Sequence, residues 1–258
     1  MRKFLFLPLL ALLASCGKNE DCDIVTPQPE DLVSPALYAT LSQSSTDPYN
    51  GPLEVLPCET NGSFYIGNYT AKGKQVPFPA YYLITNGIGK SQKYPLRLPV
   101  GTYNVIYWGY PDYFGTAGDA YLADPTLIIG KKLNTTSLGL RKIPGDTVYY
   151  PIHSLVYGTQ NINIGKDDLQ AHLKHASAAL SVIVSETNGD AFSDAIDSMW
   201  IYISNIYSNL NYFSARPEGT FKTISFGLKP STNRTEFNNN FVSVFPSQPN
   251  PMFQIFVQ

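Results

Sequence analysis

From residue 36 onward the sequence is a succession of short β-branched and aromatic runs, each closed within a few positions by Gly, Pro or Asn-Gly. That punctuation excludes long helices and fixes the class as all-β. Asn61-Gly62 and Asn86-Gly87 are residue pairs that accept the positive φ of a tight hairpin turn. Strands are expected at residues 36–41, 63–66, 81–85, 98–109, 126–129, 137–140, 147–150 and 153–157. The polar stretch 161–168, with Gly165, reads as a domain boundary. Beyond it, residues 173–184 alternate Ala176, Ala178, Leu180, Val182 and Val184, which gives one apolar face. Further strands are expected at 199–206, 220–226, 240–245 and 252–257, and only 190–197 reads as a turn or two of helix. Strands spaced about 8–12 residues apart suggest Greek-key sandwiches, here two in tandem over 36–162 and 163–258. The 18 Tyr, 14 Phe, 20 Pro and 19 Gly fit this architecture. The chain stops in or just after its last strand, so either that strand closes the second sandwich or the sequence is cut short there.

The first residues form a separate signal. Arg2 and Lys3 precede an apolar run from Phe4 to Ala11, which is shorter than the roughly 20 residues a bilayer-spanning helix needs. It reads as a removable signal peptide over residues 1–15. The ending Leu13-Ala14-Ser15-Cys16 resembles the bacterial lipobox, in which the Cys thiol is acylated and becomes the new N-terminus. Two or more acyl chains anchor a protein stably, so Cys16 is the expected lipidation site and residues 16–35, rich in Pro, the tether. The acidic cluster Glu20-Asp21-Cys22-Asp23 resembles a surface-export signal; a plain solvated tether on the periplasmic side is the alternative. Cys22 and Cys58 lie in an oxidising compartment, where a disulfide or two separate thiols are both open.

Chemistry is sparse. A net charge of −2 provides no basic field for nucleic acid. His172 and His175 have a metal-like spacing on a helix, yet on a strand they point to opposite faces, and no Cys or acidic pair completes a set. Gly89-Lys90-Ser91 mimics the end of a phosphate loop, but Ile84 stands where the first Gly belongs. Neither G-x-S-x-G nor H-E-x-x-H occurs. The expectation is a non-enzyme with no cofactor and no metal. Tyr107, Trp108 and Tyr110, with Tyr113 and Phe114, form an aromatic stretch that reads either as a platform for stacking a sugar ring or as core.

Two stretches carry a family resemblance. Leu98-Pro99-Val100-Gly101-Thr102-Tyr103-Asn104-Val105-Ile106-Tyr107-Trp108-Gly109 looks like the L-P-x-G-x-Y-x-x-x-x-W-G strand of the Bacteroidetes fimbrillin superfamily of pilus subunits. Leu173-Lys174-His175-Ala176-Ser177-Ala178-Ala179-Leu180-Ser181-Val182 resembles the segment that opens that family's second domain. The resemblance implies two tandem transthyretin-like sandwiches and travel to the outer membrane as a lipoprotein. It also implies subunits joined by β-strand addition, after cleavage at an N-terminal Arg removes one strand and opens a groove. This sequence has no Arg between Cys16 and Arg97, and Arg97 lies inside the first sandwich. A chain that keeps its lipid and its strand resembles the anchor or an accessory subunit at the pilus base; a polymerising stalk or tip subunit, cut by a different enzyme at Lys18, Lys72 or Lys74, is the alternative. The strand Ala36, Leu37, Tyr38, Ala39, Thr40 and Leu41 is then the strand-exchange groove or its plug. The expected partners are other pilus subunits and the outer membrane through lipid, with a host or glycan ligand unspecified. The competing reading is a surface glycan-binding lipoprotein of a nutrient-uptake system, using the Trp108 platform.

Overall fold

A computed structural model describes residues 27–41, 47–91, 94–111 and 122–258. The signal peptide, Cys16, Cys22, Tyr113 and Phe114 lie outside the described residues. The fold is all-β with several sheets; among the described residues the helical elements are the single 3₁₀ turns Pro29–Asp31 and Leu133–Thr135.

In chain order the strands of the first half are β1 (Leu32–Val33), β2 (Leu37–Leu41), β3 (Asp47–Pro48), β4 (Gly51–Cys58), β5 (Asn68–Tyr69), β6 (Gln75–Val76), β7 (Ala80–Thr85), β8 (Ile88–Ser91), β9 (Leu98–Pro99) and β10 (Gly101–Gly109). The second half continues with β11 (Leu122–Ala123), β12 (Ser137–Leu140), β13 (Val156–Ile164), β14 (Leu169–His175), β15 (Ala178–Leu180) and β16 (Ile183–Ser185). Then follow β17 (Met199–Asn211), β18 (Pro217–Pro230), β19 (Glu236–Asn238), β20 (Val242–Val244) and β21 (Phe253–Val257).

The main sheet runs β14-β13-β10-β4-β7-β8-β2-β3, and β14 pairs again with β2. The ladder therefore closes on itself, as a sandwich does when its two sheets are joined along both edges, and closure removes exposed strand edges. Leu37, Ala39, Leu53, Val55, Tyr82, Val105, Tyr107, Ile162, Leu169 and Leu173 fill its interior. The residue 86–87 hairpin forms as expected, with φ of 53° at Asn86 and 76° at Gly87. The boundary expected at 162/163 falls within the β13–β14 hairpin, whose strands both belong to this closed sheet.

A second sheet runs β11-β12-β17-β18-β19-β16, with β21 alongside the start of β17, and β15–β20 forms a separate ribbon. Its core includes Met199, Ile201, Ile203, Ile224, Phe237 and Phe245. Leu56, Cys58, Ile106 and Trp108 of the first half also belong to that core. β10 is thus buried on both faces: Val105 and Tyr107 enter one core, Ile106 and Trp108 the other.

Several local expectations differ from the structure; residues 63–66 and 147–150 make only isolated bridges, at Phe64, Tyr65 and Tyr149, where strands are expected. The run 173–184 is broken into the end of β14, then β15 and β16, because the chain changes sheets at Ala176, whose N–H donates to Leu155. Residues 190–197 are turn, not helix, since the Arg234 guanidinium takes the Ser193 and Ile196 carbonyls at 3.0 and 2.6 Å. Residues 126–129 are irregular despite their β-type side chains.

Candidate functional site

The features that bear on function meet at β2 and at the seam between the two cores. Pro35 ends the incoming segment, and the Ser34 hydroxyl donates to the Leu96 carbonyl at 2.9 Å. From there β2 runs parallel to β14, with Leu37 opposite Leu169 and Leu41 opposite Leu173. Leu37 and Ala39 are buried, whereas Tyr38 points outward. Ala36 is held at both ends of its peptide: its N–H donates to the Asp168 carboxylate at 3.1 Å, and its carbonyl accepts from Leu169 at 2.9 Å. Thr40 Oγ1 and His172 Nδ1 lie 3.0 Å apart. On its other side β2 meets both β3 and β8, with Thr40 opposite Pro48, Leu41 opposite Asp47 and the Ala39 carbonyl accepting from the Tyr49 N–H at 3.1 Å. It pairs with β8 only at Tyr38–Ile88, and the Ala39 N–H reaches the Gly87 carbonyl at 2.8 Å.

Gly89 explains part of this fit. A Cβ there would sit 3.0 Å from the Leu37 side chain, so β8 has to present a bare backbone where Leu37 enters the core. The Gly-Lys-Ser resemblance to a phosphate loop thus falls on a strand that packs against β2.

The L-P-x-G-x-Y strand has a mechanical basis at nearly every fixed position. Leu98 is buried. The Tyr103 hydroxyl donates to the Pro99 carbonyl at 3.0 Å, folding the motif onto itself around Gly101. Asn68 anchors the approach, donating to Pro95 at 2.9 Å and accepting from the Arg97 N–H at 2.8 Å. A Cβ at Gly109 would lie 2.6 Å from Val156 and 2.7 Å from the Tyr49 hydroxyl, which leaves room only for Gly.

Both Tyr107 and Trp108 have no exposed surface. Tyr107 donates to Gln160 at 2.6 Å. Trp108 stacks on Tyr212 with ring centres 5.5 Å apart and packs against Tyr157 at 5.0 Å. Tyr110 is partly buried against the second core. Neither Tyr107 nor Trp108 has a ring face left to receive a sugar. Beside them Glu54 accepts from the Tyr212 hydroxyl at 3.4 Å. Burial, with the nearby negative charge of Asp124, pushes its carboxyl up to about 7. Cys58 is buried, and burial pushes its thiol up to about 12. Among the described residues no three His, Cys, Asp or Glu side chains converge.

Sequence reasoning placed the strand at 36–41 but had no signal for what it pairs with. It also missed Trp200, an isolated aromatic in an alternating strand, which the structure leaves 40% exposed.

Several solved structures resemble this one. A candidate adhesin of Bacteroides ovatus superposes with a TM-score of 0.56 at 10% identity, covering 88% of this chain and 74% of that one. A second candidate adhesin of B. ovatus gives 0.49 at 13% identity, covering 85% and 69%. The fimbrial anchor protein Mfa2 of Porphyromonas gingivalis gives 0.49 at 12% identity, covering 85% and 76%. At these identities the likeness is one of fold. No curated protein matches the sequence. Residues 27–258 match, as one continuous stretch, the family of fimbrillin-A associated anchor proteins Mfa1 and Mfa2, and the chain belongs to that family.

Proposed function

We propose that this protein is the anchor or an accessory subunit of a surface pilus, tethered to the outer membrane by lipid on Cys16. It joins its neighbours by β-strand addition. Two transthyretin-like units make up the body, and no reaction is catalysed. Membership of the fimbrial anchor family supports the setting. The observation that carries the mechanism is the way β2 closes the main sheet. Five residues pair with β14, one pairs with β8, two pair with β3, and two side chains enter the core. Such a strand behaves as a plug: withdrawing it would bare two ladder edges flanking a slot that has the alternating pockets of strand addition. Without an Arg between Cys16 and Arg97, an Arg-specific protease has nothing to cut ahead of the sandwich, so the plug stays in place. That distinguishes an anchor, which keeps its lipid and strand, from a polymerising subunit. The burial of Tyr107 and Trp108 removes the support for a glycan platform at that position.

Immunogold electron microscopy of intact cells, with antibody against residues 31–258, tests the assignment. Gold at filament bases is expected. Gold along the filaments would mean a polymerising subunit, and gold scattered over a surface without filaments would sink the pilus reading. Replacing Cys16 with Ala should release the protein from membranes.

A further inference from the structure

The outer face of the second sheet carries an aromatic cleft that the pilus role does not use. Trp200 on β17 has Gly227 of β18 as its partner on one side and Phe256 of β21 on the other. A Cβ at Gly227 would touch two ring atoms of Trp200 at 3.9 Å, so the indole lies across that glycine. One ring face is therefore backed by the sheet and the other is open, consistent with the 40% exposure of the residue. Two positions along β17, Tyr202 meets Phe256 edge to face, with centroids 4.9 Å apart, and holds the second aromatic upright.

The opposite wall is the turn that contains Asp146 and Tyr150. Its Ile143 N–H donates to the Val148 carbonyl at 3.0 Å. It is fixed to β18 by main-chain bonds from Tyr149 to Thr223 and from Ser225 to Tyr149, both 2.9 Å. One Asp146 oxygen accepts from the Thr147 N–H, and the residue is exposed on the cleft wall. Together the walls border a half-open cleft of about 850 Å³, within the size range of small-molecule sites.

We propose that this cleft binds a neutral saccharide, with one pyranose stacked on Trp200 and its hydroxyls directed to Asp146. The chemistry matches both halves of such a ring. Its C–H face is apolar and suits a flat aromatic surface with a second aromatic beside it. Its equatorial hydroxyls donate to a carboxylate without carrying charge, and hydrogen bonds to charged groups are the stronger ones. A partner's β-strand is a poorer match, because the floor of the cleft is already paired: β17 bonds to β18 on one side and β21 on the other over Met199 to Ile203. This inference is independent of the strand-exchange reading, since β2 lies in the other sheet.

The chain has only two tryptophans, and Trp108 is fully buried, so iodide quenching of intrinsic fluorescence reports Trp200 alone. The full chain is titrated with soluble malto-, cello-, manno- and galacto-oligosaccharides. At least one series should protect Trp200 from iodide saturably, and D146N should weaken that sugar at least tenfold. W200A is followed by calorimetry, with Trp108 emission as the check that it folds, and should abolish binding. W200Y, which keeps a platform, should retain part of it. Absence of saturable protection by all four series overturns the proposal, and so does sugar binding that survives W200A. Loss of a co-purifying pilus subunit in W200A, without sugar binding by the wild type, would reassign the cleft to a protein contact.

Discussion

The indole N–H of Trp108 donates to the carbonyl of Tyr212 at 3.0 Å, and the same two rings stack with their planes only 11° apart. One residue ends the central strand of the closed sheet, and the other sits at the turn after β17 in the second sheet. Tyr157, whose hydroxyl donates to the Phe213 carbonyl, and Glu54, which accepts from Tyr212, flank the pair. The family-type W-G ending of β10 therefore acts as a clamp between the two cores.

Truncating this clamp should be costly. Trp108→Ala removes a fully buried aromatic, and such truncations cost about 3–5 kcal/mol. Trp108→Phe keeps most of the packing but leaves the Tyr212 carbonyl without its donor, for about 1–3 kcal/mol. Urea denaturation of both variants checks the order. Equal losses would mean that the hydrogen bond, not the packing, holds the seam.

Glu54 makes the same seam sensitive to pH. Its folded carboxyl is raised to about 7 from an ordinary value near 4.5, so the folded state holds the proton more tightly than the unfolded state. The protonated form carries no penalty below about pH 4.5. Stability falls as pH rises through the window between the two values and levels off above about 7. Because Glu54 keeps some exposure, the full drop is about 1–3 kcal/mol. Glu54→Gln keeps an acceptor for Tyr212 and removes the titration. Denaturation at pH 5 and pH 8 should show the variant gaining on the wild type at the higher pH, and a pH-independent difference would refute this.

Local rules made the strands of the first half readable, and the exceptions share one cause. The Asn86-Gly87 turn and the doubly buried run ending at Trp108 follow from φ preference and unbroken hydrophobicity. Nothing local says that Leu37 pairs in parallel with Leu169, more than a hundred positions away; closure of the sheet is a long-range result. Nor could alternation at Ala176, Ala178 and Leu180 reveal that the chain leaves one sheet for another after His175. The exposed face of Trp200 depends on Gly227 being its cross-strand neighbour, a register that no sequence pattern states.

Arg234 holds residues 190–197 out of the helix that the sequence predicts there. It holds the Ser193 and Ile196 carbonyls, lies 3.4 Å from Asp194 and rests 5.6 Å over the Phe237 ring. Arg234→Ala should loosen residues 190–197 and destabilise the second sheet by about 1–3 kcal/mol, mainly through the Ile196 carbonyl left without its donor, since the Ser193 carbonyl keeps the Ile196 N–H at 3.0 Å. Because Asp194 is almost fully exposed, Asp194→Ala should be nearly neutral. Limited proteolysis should cut the Arg234 variant within 190–197 and leave the Asp194 variant intact. The opposite pattern would put the weight on the ion pair.

The seating of β2 can be tested without removing any of its own side chains. Gly89→Val places a branched side chain where a single Cβ already stands 3.0 Å from Leu37. Overpacking of this kind costs about 1–3 kcal/mol. If β2 is a separable plug, the strain is relieved by moving it away from β8, which it meets at a single paired residue. Hydrogen exchange should then speed up at the Ala39 and Leu169 amides, which bond to Gly87 and Ala36. The amides of β10 and β13, paired along nine residues, should keep their protection. Such a selective loss is the signature of a strand that can leave while the rest of the sheet stays folded. If protection falls uniformly across the sheet, β2 is an integral part of one cooperative unit, and it cannot serve as a plug.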